Sequence, residues 1–384
     1  MPQLAEVVAA LEEWFDPSWA QSWDAVGPTC GDMTVDVTRI VLAVDAVPQT
    51  VAAAEVAGAP LLLTHHPLLL TPVHSVAAAD PKGGLVHRMI RAGIAHYVAH
   101  TNADSADPGV SDALADRLGL AELTPLDPAA DDAPDKLVVF VPTDDTGPLI
   151  DALAAAGAGH IGDYERCAWT TVGVGTFRPG AAANPTIGRP GAIEAVAETR
   201  VEMVVPRRAL SAVISALRQA HSYEEPAFDV YPQVPTVGAR GTGRVGELAA
   251  PMTLREFVSH AVEVLPRTVW GVRAAGDPQR PVRTVAVCGG SGGSFIDVAR
   301  RAGADAYLTA DLKHHTALEA VTERGSEAMA LLDAAHWATE APWLDAVAAR
   351  LRERFGTTVD VTVSPTVTDP WTLHAPSPET SSPT

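Results

Sequence analysis

The chain has 384 residues, 47 % of them hydrophobic, and carries a formal charge of −20. That length and apolar content suit two or three globular domains rather than a disordered chain. The acidic balance excludes nonspecific binding to nucleic acid or to an anionic membrane, which needs basic surface. Three widely spaced cysteines, Cys30, Cys167 and Cys288, form no CxxC pair. They fit free thiols in a reducing compartment better than a disulfide framework. The start, MPQLAEVVAALEEWF, lacks the basic flank of a secretory leader, and no apolar run reaches the length of a membrane helix. A cytoplasmic protein is expected.

In chain order, LAEVVAALEEWF (4–15) has helical periodicity and TRIVLAVDAV (38–47) reads as a buried strand ending near Asp45. A helix over 49–57 leads into the strand APLLLTHHP. Residues 83–92 are helical, IAHYVAHTNAD (94–104) is a strand running into polar residues, and 109–118 is helical again. Apolar strands alternating with helices predict a parallel-type sheet covered on both faces. The Pro- and Asp-rich stretch 124–136 reads as a boundary. Beyond it, KLVVFVPTDDTGPLIDALAAAGAG and VEMVVPRRALSAVISALRQAH repeat strand, VP turn and helix, as in a small ferredoxin-like α+β domain. PTVGARGTGRVG (235–246) reads as the return linker, after which the first rhythm resumes. The predicted fold is a discontinuous α/β domain (1–125 and 246–370) interrupted by an inserted domain (126–245). A Ser/Thr/Pro-rich tail, 371–384, reads as disordered.

Polar clusters follow apolar strands three times. His65 and His66 follow LLL, His100, Asn102 and Asp104 follow HYVA, and His336 and Glu340 follow ALLD. Ligands of open α/β sheets bind beyond the carboxyl ends of strands, so these groups can converge. His336 and Glu340 share a helix face if a helix starts after Asp333. Three histidines, an Asp and a Glu exceed the needs of a single catalytic zinc and suit two carboxylate-bridged ions. Asp45 reads as a helix cap or as a group behind a ligand. GGSGGS (289–294) precedes a helical stretch, and its amides could face an anion, although glycine turns also arise for steric reasons. GTGRVG (241–246) matches GxGxxG but has no preceding strand, so it is set aside as a dinucleotide signature.

WDAVGPTCG (23–31), LLLTHHPLL (61–69), AHTNADSADPGVSDALADRLGL (99–120), GGSGGSFIDVARRAGADAYLTADLKHH (289–315) and LLDAAHWATE (331–340) stand in an order that resembles one family. It is the GTP cyclohydrolase 1 type 2 homologue family of Nif-three-like dinuclear metal-centre proteins. The resemblance spans nearly the whole chain, including HSYEEPAFDVYP (221–232). It implies two divalent ions per subunit, with Zn, Mn, Fe and Co all compatible with the donors. It also implies His65, His66, Asp104, His336 and Glu340 as ligands: His66 and Asp104 on one ion, His65 and His336 on the other, Glu340 bridging. A ring-shaped homohexamer and a PII-like inserted domain are implied as well. The implied activity is metal-dependent hydrolysis of a small molecule of nucleotide type, GTP ring opening with formate release. His315 and His100 are candidate catalytic proton carriers. The alternatives are a non-catalytic regulatory or adaptor hexamer and a metal-delivery protein. HSYEEPAFDVYP reads as a packed turn or as a contact surface.

Overall fold

The computed structural model describes residues 1–130, 133–322 and 328–375. The protein is a mixed α/β structure in two compact units, one of residues 1–129 with 238–384 and the other of residues 130–237. The tail predicted from 371 onward lies outside the described residues after 375.

The divided unit holds two sheets. The first runs, in spatial order, Gly27–Cys30, Ala95–Val98, Leu61–Thr64, Arg39–Ala43 and Asp360–Val363. The last four are mutually parallel, and Gly27–Cys30 pairs antiparallel with Ala95–Val98. Leu61, Leu62 and Leu63 are fully buried, which explains an unbroken apolar run where an exposed strand would alternate. The second sheet is mixed. Pro281–Ser291, Ala306–Ala310 and Ala330–Ala334 run parallel, flanked by antiparallel Val272–Ala275 on one side and Val237–Thr253 on the other. The helix His336–Phe355 buries Trp343, Leu344, Val347 and Leu351 in the core of the first sheet.

The two units divide at 129/130 and 237/238, inside the stretches read as a boundary (124–136) and a return linker (235–246), and both stretches also carry strands. Leu120–Ala130 takes up much of the Pro- and Asp-rich segment, and Val237–Thr253 takes up PTVGARGTGRVG. Composition hid these strands because their stability comes from distant partners. Gly241 and Gly243 pass so close to Asp127 O and Leu126 that a Cβ would clash, and both have positive φ. Between them and the sheet, Arg244 is buried against Asp112, at 2.7 Å, and three backbone carbonyls. GTGRVG is therefore a packing element.

The other unit follows the order strand–helix–strand–strand–helix–strand. Its strands lie in the spatial order Trp169–Phe177, Glu194–Val205, Asp135–Pro142 and Phe228–Pro232, all antiparallel. Helices Thr146–Ala155 and Leu210–Ala220 cover one face, with Leu149, Leu153, Val213 and Leu217 packed on Val139 and Val201. This is the ferredoxin-like arrangement expected from the repeated VP turns.

Candidate metal centre

The five residues meet. Leu61–Thr64 ends at Thr64, and the turn before Pro67 lets adjacent imidazoles point into one space, their ring centroids 5.0 Å apart. Asp104 closes a single helical turn, Thr101–Asp104, after Ala95–Val98. His336 opens the helix that follows Ala330–Ala334, one turn before Glu340. Glu340 lies at the centre. One carboxylate oxygen is 2.9 Å from His336 Nε2 and 3.5 Å from His65 Nε2, and the other is 3.1 Å from His66 Nε2.

Short contacts join these side chains in space. His65 Nε2 lies 3.7 Å from Asp104, whereas His66 Nε2 and His336 Nε2 face each other at 3.3 Å. Two sets of donor atoms lie close enough together to hold a cation, His66 with His336 and Glu340, and His65 with His66 and His100, while Asp104 approaches His65.

Each inward-facing imidazole is held from behind. His65 Nδ1 donates to Ala99 O at 2.9 Å, His66 Nδ1 to Asp45 at 2.8 Å, and His336 Nδ1 to Asp311 at 2.7 Å. His100 Nδ1 donates to Asp24 at 2.8 Å. With the ring proton committed at Nδ1, neutral rings present Nε2 lone pairs to the common space, the arrangement that orients metal-binding histidines. His65 Nε2 is buried without a hydrogen-bond partner among the described residues. An orphaned imidazole nitrogen, two others face to face and a central carboxylate fit divalent cations of N/O preference.

Electrostatics agree. Burial alone would lower His66, but Glu340 and Asp45 outweigh it and push its pKa up to about 11. His336 rises to about 10 against the same penalty, through Glu340 and Asp311. Glu340 is fully buried yet held well below the ordinary carboxylate range by the three imidazoles. Burial raises Asp104, with His65 opposing. Burial would also raise Asp24, but hydrogen bonds from His100 and Thr101 drive it low. The site thus stabilises positive charge, which protons supply when no cation does.

His100 belongs to the cluster, its ring 5.1 Å from His65 and 5.5 Å from His66. His315 is exposed on the helix His314–Thr322, and its ring contact is with His314. It does not line the cavity over the cluster. The GGSGGS loop serves the site sterically. Gly290 has φ +64°, and a Cβ there would stand 2.4 Å from Glu340 Oε1. Its amide and that of Gly292 are already bonded to Thr339 and Thr309, so these two are not free for an anion. Sequence reasoning missed Asp24 and Asp311. Asp311 follows the strand Ala306–Ala310 with φ +56°, and its place at a strand end was the available signal.

A cavity of about 520 Å³ opens onto His66 and His336, lined also by Asp45, Asp311, Trp270, Arg273, Asp369 and Trp371. Trp270 and Trp371 lie 6.0 Å apart, and the Arg273 guanidinium covers Trp270 at 4.7 Å. Thr368 donates to Asp45, tying the C-terminal segment to the group behind His66.

A discontinuous α/β unit with a His/carboxylate cluster at its strand ends, interrupted by a ferredoxin-like unit, defines the class. The Duf34/NIF3 (NGG1p interacting factor 3) family profile matches residues 2–370, and the chain belongs to that family. It is 50 % identical over 374 residues to a Mycobacterium leprae protein named GTP cyclohydrolase 1 type 2 homolog, covering 97 % of this chain and 96 % of that one. A Bacillus subtilis protein of the same name is 36 % identical, with coverage of 96 % and 98 %. The crystal structure of a Bacillus cereus protein related to NIF3 superposes with a TM-score of 0.78 at 33 % identity, covering 97 % of this chain and 99 % of that one.

Proposed function

We propose that His65, His66, Asp104, His336 and Glu340 hold two divalent cations and that the chain is a metal-dependent hydrolase of the GTP cyclohydrolase 1 type 2 kind. The observation that carries this reading is the set of Nε2 atoms converging on buried Glu340, each ring held from behind. The contacts favour His66 and His336 on one ion, His65 and Asp104 on the other, and Glu340 between them. Two such ions, when bound, supply Lewis acidity and acidify water toward neutral pH. The chain's own residues supply the rest. His100, its Nδ1 proton held by Asp24, turns Nε2 toward the cluster as a proton acceptor. Trp270 and Trp371 offer a planar ring a surface at the mouth, where Arg273 is paired with Asp333 at 2.6 Å and stacks on Trp270. The paired tryptophans suit a planar ring such as the base of the nucleotide in the relatives' names.

The test is formate release from GTP by protein whose metal content has been measured. Turnover that vanishes in His66→Ala supports the reading; none at full loading removes it. A non-catalytic regulatory or adaptor role is favoured by one feature, the strand Trp169–Phe177, whose Trp169, Val172 and Val174 are 57, 67 and 72 % exposed. Such an apolar edge invites a partner. We assign it first to self-assembly into the homohexamer the resemblance implies; light scattering that shows a monomer refutes that. No helix among the described residues is long and apolar enough to cross a membrane, and the three cysteines are free. We place the protein in the cytoplasm on the thiols.

A further inference from the structure

HSYEEPAFDVYP plays no part in the metal centre. Tyr223, Glu224, Glu225 and Ala227 instead line a cavity of about 340 Å³ wholly within the unit of residues 130–237. That volume falls at the lower end of small-molecule pockets, about 300–1,000 Å³.

Strand register explains the hollow. Glu198 alternates with Thr199 and Val201, which are buried on the helix-covered side, so its side chain stands on the opposite face. Gly173 is its cross-strand partner, and Gly175 lies two residues further along the same strand. Two glycines leave the sheet bare beside the carboxylate. A Cβ on Gly175 would stand 1.9 Å from Glu198 Oε2, so only glycine admits the carboxylate there. Tyr223 holds the other oxygen, its hydroxyl donating to Glu198 Oε1 at 2.9 Å. Phe177 meets Tyr223 edge-on, their centroids 5.8 Å apart, and with Phe140 they make the walls aromatic. The loop over the opening is tied down by Asn184 N–H donating to Glu224 at 3.0 Å and Thr186 donating to Ser222 O at 2.6 Å.

The lining carries three carboxylates and no Lys, Arg or His. An anion would be repelled. A bare divalent ion would find aromatic walls where it needs six or more oxygens. A cation spread over an alkyl or aromatic body meets both demands, charge to the carboxylates and bulk to the rings. We propose that this cavity binds an organic cation, an alkylated ammonium or amine with an apolar body, with Glu198 as its counter-charge and Phe177 and Tyr223 as its walls.

The test is calorimetric titration of the full-length, metal-loaded protein with benzyltrimethylammonium, and with benzyl alcohol and benzoate as neutral and anionic counterparts. Saturable binding of the cation, at least about tenfold tighter than either counterpart, is expected. Glu198→Gln and Gly175→Ala should each weaken it about tenfold while metal content and Tm stay at wild-type values. Equal binding of benzyl alcohol or benzoate, or unchanged affinity in both variants, overturns the proposal. So does an absence of saturable binding, the result expected if a second copy of the chain fills the cavity.

Discussion

His96 and His66 belong to neighbouring strand segments of one sheet, one fully buried and the other half-buried, and their surroundings drive them in opposite directions. His96 sits within Ala95–Val98 with Nε2 on the Thr64 hydroxyl at 2.8 Å, and burial lowers its pKa to about 4. His66 lies just past Leu61–Thr64 between Glu340 and Asp45, which lift it to about 11. Burial penalises charge in both. The difference lies in the carboxylates, and it separates a structural histidine from one built to face a cation.

The comparison breaks most severely if the central charge is removed. Glu340→Gln leaves imidazoles with no shared counter-charge, and cation affinity should fall about a thousandfold, as for a broken buried pair. Titration of metal-free protein with Zn²⁺ or Mn²⁺ measures it, and wild-type affinity would contradict the proposed centre. Next in size is the other arm. The folded pKa of His96 lies below the ordinary 6.5, so the unfolded chain takes up this proton first as pH falls. Its neutral burial therefore contributes stability above pH 6.5 that is lost as pH drops toward 4, on the order of 3 kcal/mol. Urea unfolding of His96→Gln should show a flatter acid limb than wild type; an identical limb would refute the assignment.

Removing a group behind a ligand should cost less. Asp45→Asn and Asp311→Asn each loosen one imidazole and should lower cation affinity about 10–100-fold without unfolding the chain. Metal analysis after dialysis distinguishes this from no effect. The smallest expected effect sharpens the comparison. His66 and His336, with pKa values raised to about 11 and 10, hold protons at neutral pH that a cation must displace. Uptake at pH 7 should release protons from the facing Nε2 pair, and apparent affinity should climb as pH rises. Calorimetry in buffers of differing ionisation enthalpy counts them.

The polar residues that build the centre were legible because each interrupts or follows an apolar strand. Strand-end logic and helix periodicity suggested that the pair after LLL and the His and Glu four apart after ALLD converge, and the family resemblance joined them into one proposed ligand set. Asp24 was not legible, since an aspartate in a loop looks the same whether it caps a helix or steadies an imidazole, and Asp311 offered only its place after a strand. The strands inside the Pro- and Gly-rich boundary stretches were hidden for a related reason. Their pairing partners lie far off in the chain, and local composition carries no trace of them. GGSGGS suggested an anion loop, whereas the structure uses Gly290 to pass beside Glu340 and spends the Gly290 and Gly292 amides on threonines.

The order of residue types along the chain determined which strands are buried, where they end and which polar groups stand at those ends, because apolar runs and side-chain periodicity are local properties. Tertiary structure alone decided that His66 faces His336 across 270 residues and that His65 faces Asp104. It also decided that Glu198 finds its hollow beside two glycines of another strand. Such pairings depend on how the chain returns to itself, and a contact between distant segments is set by packing and register.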